Sequence, residues 1–429
     1  MKKSISIILI AILAISMVFA QGKTESKADD KPITITYAFW GNPEAIGVEA
    51  DIIAAFEAKY PNIHVEPVVS AYGDYHTKLL TMIAGGSAPD VMRISTQYLP
   101  DLAASGGLSD VNKLASKYSF DMGMYYEQGI EDCSYNDVCY GLPWGTAPIY
   151  MLMNVDMFEE AGIDLPSYDW NLKDFQEIVR KISRGEGQDR KYGFAIEISG
   201  DLYPVYPYVW ANGGDLFDKS KETFAFDQKP AYEAIQMLAD LYKENCMPKE
   251  TIMAGAQTIS VPTWFINDKV AMFQGTAANV LSIQQAGKRF EVWPLPSAPG
   301  VPTTVIKSNA TAVSSSSKNE EAAFLFASFA RGPEGEAIYM KAKRVPPSIK
   351  GDEYWDLYLN AGEYPTNIKD VTNKVFNQYG RLAPVRKGYL EVEQNLTSLV
   401  QNVMLGNTTA EKAMKDIAPR INTILNNSK

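Results

Sequence analysis

The chain has 429 residues, a formal net charge of −11 and a hydrophobic fraction of 46%. This length exceeds what one simple core accommodates, so two domains are predicted. The acidic balance argues against nucleic acids and anionic membrane surfaces as partners, because both carry negative charge. Since the chain has two histidines, His64 and His76, and three cysteines, we expect no zinc-like cluster and no cofactor.

The first twenty residues have the pattern of an export signal. Lys2 and Lys3 precede an apolar run from Ile5 to Val18, and Ala20 ends a small-residue cleavage site. The run is too short for a membrane anchor, and residues 21–31 are predicted to be a flexible leader. We therefore expect residues 1–20 to be removed near Ala20 and the mature protein to act in the periplasm or otherwise outside the cytoplasm.

Strand and helix patterns alternate along the next hundred residues. Ile33 to Trp40 is rich in β-branched and aromatic residues, which predicts a strand. Asn42-Pro43-Glu44 then opens a helix, with an N-cap, a proline at the first position and an acid in the first turn. Strands over 63–69 and 91–94 follow, separated by a helix over 75–84. This alternation predicts an α/β fold with parallel strands and helices on both faces of the sheet.

The second half continues the alternation, with a strand predicted over 192–198. Two proline-rich points, Trp293-Pro-Leu-Pro296 and Val345-Pro346-Pro347, are interpreted as rigid crossings between two lobes. The predicted organisation is residues 32–142 and 297–344 in lobe 1, and residues 143–296 and 345–429 in lobe 2.

Cys133 and Cys139 flank a short segment that contains Asn136-Asp137, which is favourable turn chemistry and predicts a hairpin. In an exported protein this favours a local disulfide between the two cysteines. The alternative is two free thiols that lie close together. Cys246 is interpreted as a small, semi-buried residue.

No motif of a common enzyme class occurs in the sequence. It lacks a phosphate loop, a dinucleotide fingerprint, a nucleophile elbow and a metalloprotease helix. Aromatic residues, in contrast, stand at predicted loop edges beside short polar residues. These aromatics are Trp40, Trp144, Tyr203, Trp210 and Trp264. Because such edges line the ligand crevice of open α/β sheets, we predict a binding protein rather than an enzyme.

Several ordered segments carry a family resemblance. They include Ala54-Ala-Phe-Glu-Ala-Lys-Tyr-Pro-Asn-Ile-His-Val65, Met153-Asn-Val-Asp-Met-Phe-Glu-Glu-Ala-Gly162, Trp210-Ala-Asn-Gly-Gly-Asp215 and Gly406-Asn-Thr-Thr-Ala-Glu-Lys-Ala413. Together they resemble the extracellular solute-binding proteins of sugar ABC importers, the group that includes maltose-binding protein. The resemblance covers nearly all of the mature chain. It implies two α/β lobes of the type II periplasmic binding-protein fold, a ligand cleft between them and hinge closure on a sugar. It also implies delivery to importer permease subunits, and we expect a monomer.

The resemblance further implies which residues bind the ligand. They are Trp40, Asn42, Glu44, Ser95, Gln97, Trp144, Thr146, Asp201, Tyr203, Trp210, Gly275, Thr276 and Arg344. Sugars pack apolar C–H faces on aromatic rings and pair their hydroxyls with planar polar groups, so this set suits them. Other interpretations stay open. Glu44 could serve only the helix dipole, Trp210 could be a core residue, and Arg344 could be a surface ion-pair partner.

Two alternative functions also stay open. One is an exported carbohydrate-active enzyme that uses paired carboxylates. The other is a binding protein for a non-sugar solute such as a phosphodiester or a peptide, although a phosphate would want more cationic cleft groups than the sequence places there. Ser95-Thr-Gln-Tyr98 stands where maltose-binding protein carries charged residues, so the identity of the sugar is not predicted.

Overall fold

The computed structural model describes residues 32–198, 201–251, 260–342, 345–359 and 364–428. The predicted export signal and leader, and Arg344, lie outside the described residues. In the described part the strands are β1 (Ile33–Trp40), β2 (Ile63–Ser70), β3 (Val91–Ser95), β4 (Ser134–Tyr135), β5 (Val138–Cys139), β6 (Leu142–Pro148), β7 (Tyr150–Asn154), β8 (Met272–Gly275), β9 (Phe290–Trp293), β10 (Thr304–Val313) and β11 (Gly380–Leu382).

Helices cover both sheets. They are α1 (Pro43–Lys59), α2 (Tyr72–Ala84), α3 (Leu99–Ala104), α4 (Val111–Lys117), α5 (Glu127–Asp132), α6 (Val155–Ala161), α7 (Leu172–Ile182), α8 (Tyr206–Ala211), α9 (Lys229–Lys243), α10 (Val261–Ile266), α11 (Ala277–Gln285), α12 (Glu320–Arg331), α13 (Pro333–Ala342), α14 (Asp352–Leu359), α15 (Ile368–Lys374), α16 (Tyr389–Met404) and α17 (Ala410–Asn427). Among the described residues, no helix is both long and apolar enough to cross a membrane.

The sheet of lobe 1 has the strand order β11-β10-β3-β1-β2, and β6 pairs with the other edge of β10. β1 runs parallel to β2 and β3, whereas β10 runs antiparallel to β3 and β6. Tyr37, Ala38 and Phe39 are all buried, so β1 is covered on both faces. This is what a parallel sheet between two helical layers requires, and the predicted α/β class is confirmed.

The sheet of lobe 2 is small, with β7 between β8 and β9 and antiparallel to both. The strand predicted over 192–198 is not formed as such. Only isolated parallel bridges form there, from Tyr192 to Val270 and from Ala195 to Phe273. The segment still extends the sheet edge and leads directly to the residues before α8.

In the described part of the chain, three extended segments cross between the lobes and lie side by side. Ile306 in β10 is opposite Pro148 at the end of β6, and Thr304 is opposite Gly380 in β11. Backbone bonds from Ile149 N to Val305 O (2.8 Å) and from Thr303 N to Tyr379 O (2.9 Å) tie the three segments together. A bundle of extended crossings is a natural hinge, since small backbone rotations there move whole lobes.

A crossing into lobe 2 is predicted at Val345-Pro346-Pro347. The chain directly after that point contacts lobe 1: Lys350 N donates to Met124 O (2.8 Å), and Tyr125 bridges Ile349. Trp355 of α14 donates its indole N–H to the Tyr126 hydroxyl at 3.3 Å. The stretch around Ile349 and Trp355 therefore contacts lobe 1, whereas Asn367 exchanges hydrogen bonds with Val292 N and O of β9 in lobe 2. The predicted lobe boundaries stay a prediction.

The predicted hairpin forms, but the predicted disulfide does not. Asn136 and Asp137 both have positive φ, as a two-residue primed turn requires, and Cys139 pairs with Ser134. This register puts Cys133 opposite Tyr140, so the two cysteines are not partners across the ladder. The Cys133 thiol points to Asn309 O (3.6 Å) and the Cys139 thiol to Gly141 O (3.2 Å). All three cysteines of the chain are buried free thiols.

We predict that the native protein resists thiol reagents and that all three thiols react after unfolding without reductant. Burial raises the pKa of both Cys133 and Cys139, so neither forms the reactive thiolate easily. Intact-mass measurement after alkylation in denaturant counts the modified thiols, with a reduced sample as control. A single modification in the unreduced sample would show the disulfide that the structure lacks.

Candidate functional site

The two lobes meet at the side chain of Lys307, which extends from β10. Its Nζ lies 3.2 Å from Gln97 Oε1 of lobe 1 and 4.0 Å from Asp201 Oδ2 of lobe 2. The same ammonium lies 4.9 Å from the centre of the Tyr203 ring. Lys307 and Asp201 are each about one-quarter exposed, so this cluster borders solvent. One cation therefore lies at the floor of a cleft whose walls come from different lobes.

The lobe 1 side of the cleft is aromatic. Trp40, at the end of β1, packs against Tyr72 with ring centres 5.5 Å apart and against His76 at 5.2 Å. His76 stacks on Tyr98 at 3.9 Å with an interplanar angle of 3°. Tyr72 is 47% exposed, and Lys307 and Asp201 both act electrostatically on its phenol. These four rings, which we call the aromatic wall, thus stand next to the Lys307 cluster.

His76 supports the wall as a neutral ring. Its Nε2 accepts a hydrogen bond from Ser95 N at 3.1 Å, which requires an unprotonated nitrogen. Burial, with a further contribution from the nearby Lys307 charge, lowers the pKa of His76 to about 3. His76 is therefore a structural acceptor at any physiological pH, and it ties α2 to the end of β3.

The lobe 2 side contains a pocket of about 230 Å³, which we call the lobe 2 pocket. Its polar lining includes Glu197, Asp201, Tyr203, Gln274 and Asn279. Gln274 Nε2 donates to Pro204 O and to the Tyr208 hydroxyl, both at 2.9 Å. Gln274 Oε1 is buried and has no hydrogen-bond partner among the described residues. Burial raises the pKa of Tyr203 to about 12, so its phenol stays neutral.

Two carboxyls support the floor of the cleft, of which Glu393 is buried and Asp132 is half-buried. Glu393 in α16 accepts from Leu202 N at 3.0 Å and from the Tyr389 hydroxyl at 2.8 Å. Burial and the neighbouring Asp201 charge raise the pKa of Glu393 to about 7. Asp132 accepts from Ser308 N at 2.7 Å, and burial raises its pKa to about 6. Both groups therefore fix backbone near Lys307 and remain partly protonated close to neutral pH.

These raised values predict that stability falls between pH 5.5 and 7.5. Asp132, Glu393 and Glu336, whose pKa burial raises to about 7, bind protons more tightly in the folded state than in the unfolded state. Their stabilisation is present at low pH and is lost as pH rises through the folded pKa. One pKa unit is worth about 1.4 kcal/mol. The lowered pKa of His76 acts in the opposite direction, because the unfolded imidazole binds protons in the lower part of this range, so we expect a net loss of about 2 kcal/mol.

Urea unfolding at pH 5.5, 6.5 and 7.5 measures this loss. Glu336 lies away from the cleft and accepts from Ser348 N at 2.5 Å, so Glu336→Gln should flatten the slope without touching the Lys307 cluster. A free energy of unfolding that stays constant or rises over this range would contradict the assignment.

The comparison with protein families identifies the architecture. The model of the bacterial extracellular solute-binding proteins matches residues 51–352, which is more than half of the chain. The chain belongs to this family.

Solved structures and curated relatives agree with this membership. An ABC substrate-binding protein of Listeria monocytogenes in complex with cycloalternan is 24% identical, covers 92% of this chain and 100% of its own, and superimposes with a TM-score of 0.82. The sugar-binding protein MalE of Xanthomonas citri is 19% identical, covers 92% and 98% of the two chains, and has a TM-score of 0.76. An arabinooligosaccharide-binding protein of Bacillus subtilis is 22% identical over 360 residues, which cover 78% of this chain and 77% of that protein. The fold of this solute-binding protein is thus the predicted type II arrangement of two lobes around a cleft, and its location is extracytoplasmic.

Five of the predicted ligand residues lie together at this cleft. Trp40 belongs to the aromatic wall, Ser95 ends β3 beneath it, and Gln97 holds Lys307. Asp201 and Tyr203 approach the same ammonium from lobe 2. The solute-binding protein therefore brings residues separated by more than 150 positions into one site.

Two predicted residues begin α1 beside the cleft. Asn42 is the N-cap, and its side chain accepts from Ala45 N at 3.0 Å. Glu44 lies on the exposed first turn of the helix, where a carboxylate interacts favourably with the helix dipole. Asn42 and Glu44 thus both have a structural role at the start of α1. A contact of either residue with the ligand stays a prediction.

Trp144 and Thr146 lie in β6, on the lobe 1 side of the hinge. Trp144 is half-buried, and its ring faces the Arg93 guanidinium at 4.0 Å, which in turn lies 5.2 Å from the Trp40 ring. Thr146 is fully buried, and its Oγ1 accepts from Ser308 Oγ at 2.9 Å. Trp144 therefore supports the wall from behind, and Thr146 packs inside the hinge.

Three further predicted residues, Trp210, Gly275 and Thr276, belong to lobe 2. Trp210 lies in the core, donates to Asp215 Oδ1 at 3.1 Å and carries the Arg381 guanidinium over its ring. Gly275 ends β8 so close to Leu152 that a Cβ would come within 2.6 Å of Leu152 Cδ1. Thr276 caps α11 reciprocally with Asn279. The core interpretation of Trp210 is thus the one that its burial favours.

Sequence reasoning missed several residues of the cleft, namely Tyr72, Tyr98, Lys307, Gln274 and Glu393. Lys307 carried a usable signal, because it is the one charged residue in the stretch 303–314. A charge in the middle of a buried strand needs a partner or a function. The described residues hold no group of three or more side chains that could bind a metal ion.

Proposed function

We propose that this protein captures a sugar, either a monosaccharide or an oligosaccharide, in the cleft between its lobes and delivers it to the permease subunits of an ABC importer. The observation that carries the proposal is the pairing of surfaces around Lys307. The aromatic wall and Gln97 on lobe 1 face planar polar groups on lobe 2, including Asp201 and Gln274. A sugar needs both, because its C–H faces pack on rings while its hydroxyls pair with amides and carboxylates.

The relatives support a carbohydrate ligand. The Listeria structure contains cycloalternan, and the Bacillus relative is named for arabinooligosaccharides. The export pattern, with cleavage near Ala20, supports a periplasmic or other extracytoplasmic site of action for the mature chain. We propose that the mature protein works as a monomer, since one chain already supplies both walls of the cleft.

We further propose that the protein binds its sugar without converting it. Paired-carboxylate hydrolysis needs two carboxyl groups on either side of a reachable glycosidic bond. Glu393 is 3% exposed and is engaged by Leu202 N and Tyr389, and Asp201 faces Lys307. This arrangement supports a fixed set of hydrogen-bonding groups rather than an acid and a nucleophile.

A thermal-shift screen over mono- and oligosaccharides tests the proposal. A true ligand should raise the melting temperature in a concentration-dependent manner, because it binds only the folded state. The best hits are then incubated with the protein and analysed by chromatography, where we expect unchanged sugar. A panel without any shift would contradict sugar binding, and released products would instead favour the enzyme.

A further inference from the structure

We propose that the lobe 2 pocket selects ligands that donate hydrogen bonds, so that the protein takes neutral or amine-bearing sugars and rejects sugar acids and sugar phosphates. This inference rests on the proposed function and specifies its substrate class. It comes from the charge and hydrogen-bonding character of the pocket, whose lining includes two carboxylates and the buried Gln274 amide oxygen.

The first step concerns charge. Glu197 and Asp201 both line the pocket, and no Lys or Arg is among its described lining residues. Lys307 is the cation beside it, and this ammonium is already shared between Asp201 and Gln97. An entering carboxylate or phosphate would therefore meet an excess of negative charge at short range.

The second step concerns the orientation of Gln274. The amide nitrogen of Gln274 donates to both Pro204 O and the Tyr208 hydroxyl. These two hydrogen bonds fix the side chain and do not involve its amide oxygen. That oxygen is buried without a partner among the described residues. A buried acceptor without a donor costs about 1–3 kcal/mol, and a ligand hydroxyl or amine would remove this cost. A carboxylate can only accept hydrogen bonds, so it would leave the Gln274 oxygen without a donor.

The third step concerns shape. Tyr203, Phe273, Pro204, Val261 and Pro262 supply apolar surface around the acceptors. The volume of about 230 Å³ is below the roughly 300–1,000 Å³ of whole small-molecule sites. The pocket thus suits one sugar ring with its C–H face on the aromatic surface and its hydroxyls toward the carboxylates.

Matched sugars test the inference. Calorimetric titration at pH 7.5 compares the neutral, amino and uronic forms of each sugar. The series are glucose, glucosamine and glucuronic acid, the corresponding galactose compounds, and matched disaccharides. In whichever series binds, the affinity for the uronic form should be at least tenfold lower than the affinity for the neutral or amino form. The variant Asp201→Asn should reduce this ratio of affinities at least threefold. The control variant Asp164→Asn changes an exposed acid outside the pocket lining and should leave the ratio unchanged.

The outcomes separate the two proposals. If a uronic sugar binds as tightly as its neutral partner, the selectivity inference is overturned while sugar binding stands. If Asp201→Asn leaves the gap unchanged, the pocket does not set the selectivity and the inference is likewise overturned. If no sugar binds at all, the proposed function fails and the inference fails with it.

Discussion

Replacement of Glu49 by alanine is expected to lower the free energy of unfolding by about 3–5 kcal/mol. Glu49 is fully buried in α1 and pairs with two buried guanidinium groups, those of Arg93 and Arg331. Arg331 Nη2 lies 3.1 Å from both carboxylate oxygens, and the Tyr37 hydroxyl donates to Glu49 at 3.2 Å. Removing this single carboxylate would leave two buried guanidinium groups without the anion that both contact directly.

The matched control is Asp51→Ala, which removes an exposed carboxylate from the same helix. Its cost should stay within about 0.5 kcal/mol, as for most surface substitutions. Urea unfolding followed by circular dichroism gives both values. Equal stabilities for the two variants would show that the buried arginines find compensation elsewhere, contrary to the structure. The cluster also concerns the site, since Arg93 lies between the rings of Trp40 and Trp144.

The second large effect is expected on binding. Tyr203→Ala should weaken the affinity for the sugar identified in the screen by about 30- to 100-fold, or about 2–3 kcal/mol. Tyr203 separates the Lys307 cluster from the lobe 2 pocket and lines both. The substitution would remove the ring that lies under the Lys307 ammonium and that offers an aromatic face to the sugar. Tyr203→Phe keeps the ring and should lose less than tenfold.

Tyr232→Ala is the matched control for this effect. Tyr232 is also half-buried in lobe 2, but it lies on α9 with Lys415 over its ring, outside the cleft. Calorimetric titration of all three variants with one sugar makes the comparison. A Tyr203→Ala affinity within threefold of the Tyr232→Ala affinity would remove Tyr203 from the binding site.

Local features of the fold were predictable from the sequence because their causes are local. The strand Ile33–Trp40 and the cap of α1 at Asn42 follow from residues within one turn of each other. The Asn136-Asp137 turn was predictable in the same way. The unpaired cysteines could also have been predicted, since a two-residue turn there pairs residue 134 with residue 139 and leaves Cys133 opposite Tyr140.

Long-range features were not predictable in this way. Glu49 and Arg331 are 282 positions apart, and no local pattern connects them. The contacts of the chain after Val345 are also long-range, since Ile349 bridges Tyr125 in lobe 1 and Asn367 bonds Val292 in lobe 2. Trp144 was predicted as a cleft wall from its loop-edge position. Its ring instead stacks on Arg93 of β3. The sequence predicted β3 as a strand but not its position beside Trp144.

The crystal structure of the protein with its sugar at saturation tests the central claim most directly. We expect one sugar ring between the aromatic wall and Tyr203, with hydroxyls within hydrogen-bonding distance of Asp201 and the ring in or beside the lobe 2 pocket. A sugar bound outside the cleft, for example in the surface groove between α16 and α17 that Leu399 and Ile417 line, would contradict capture between the lobes.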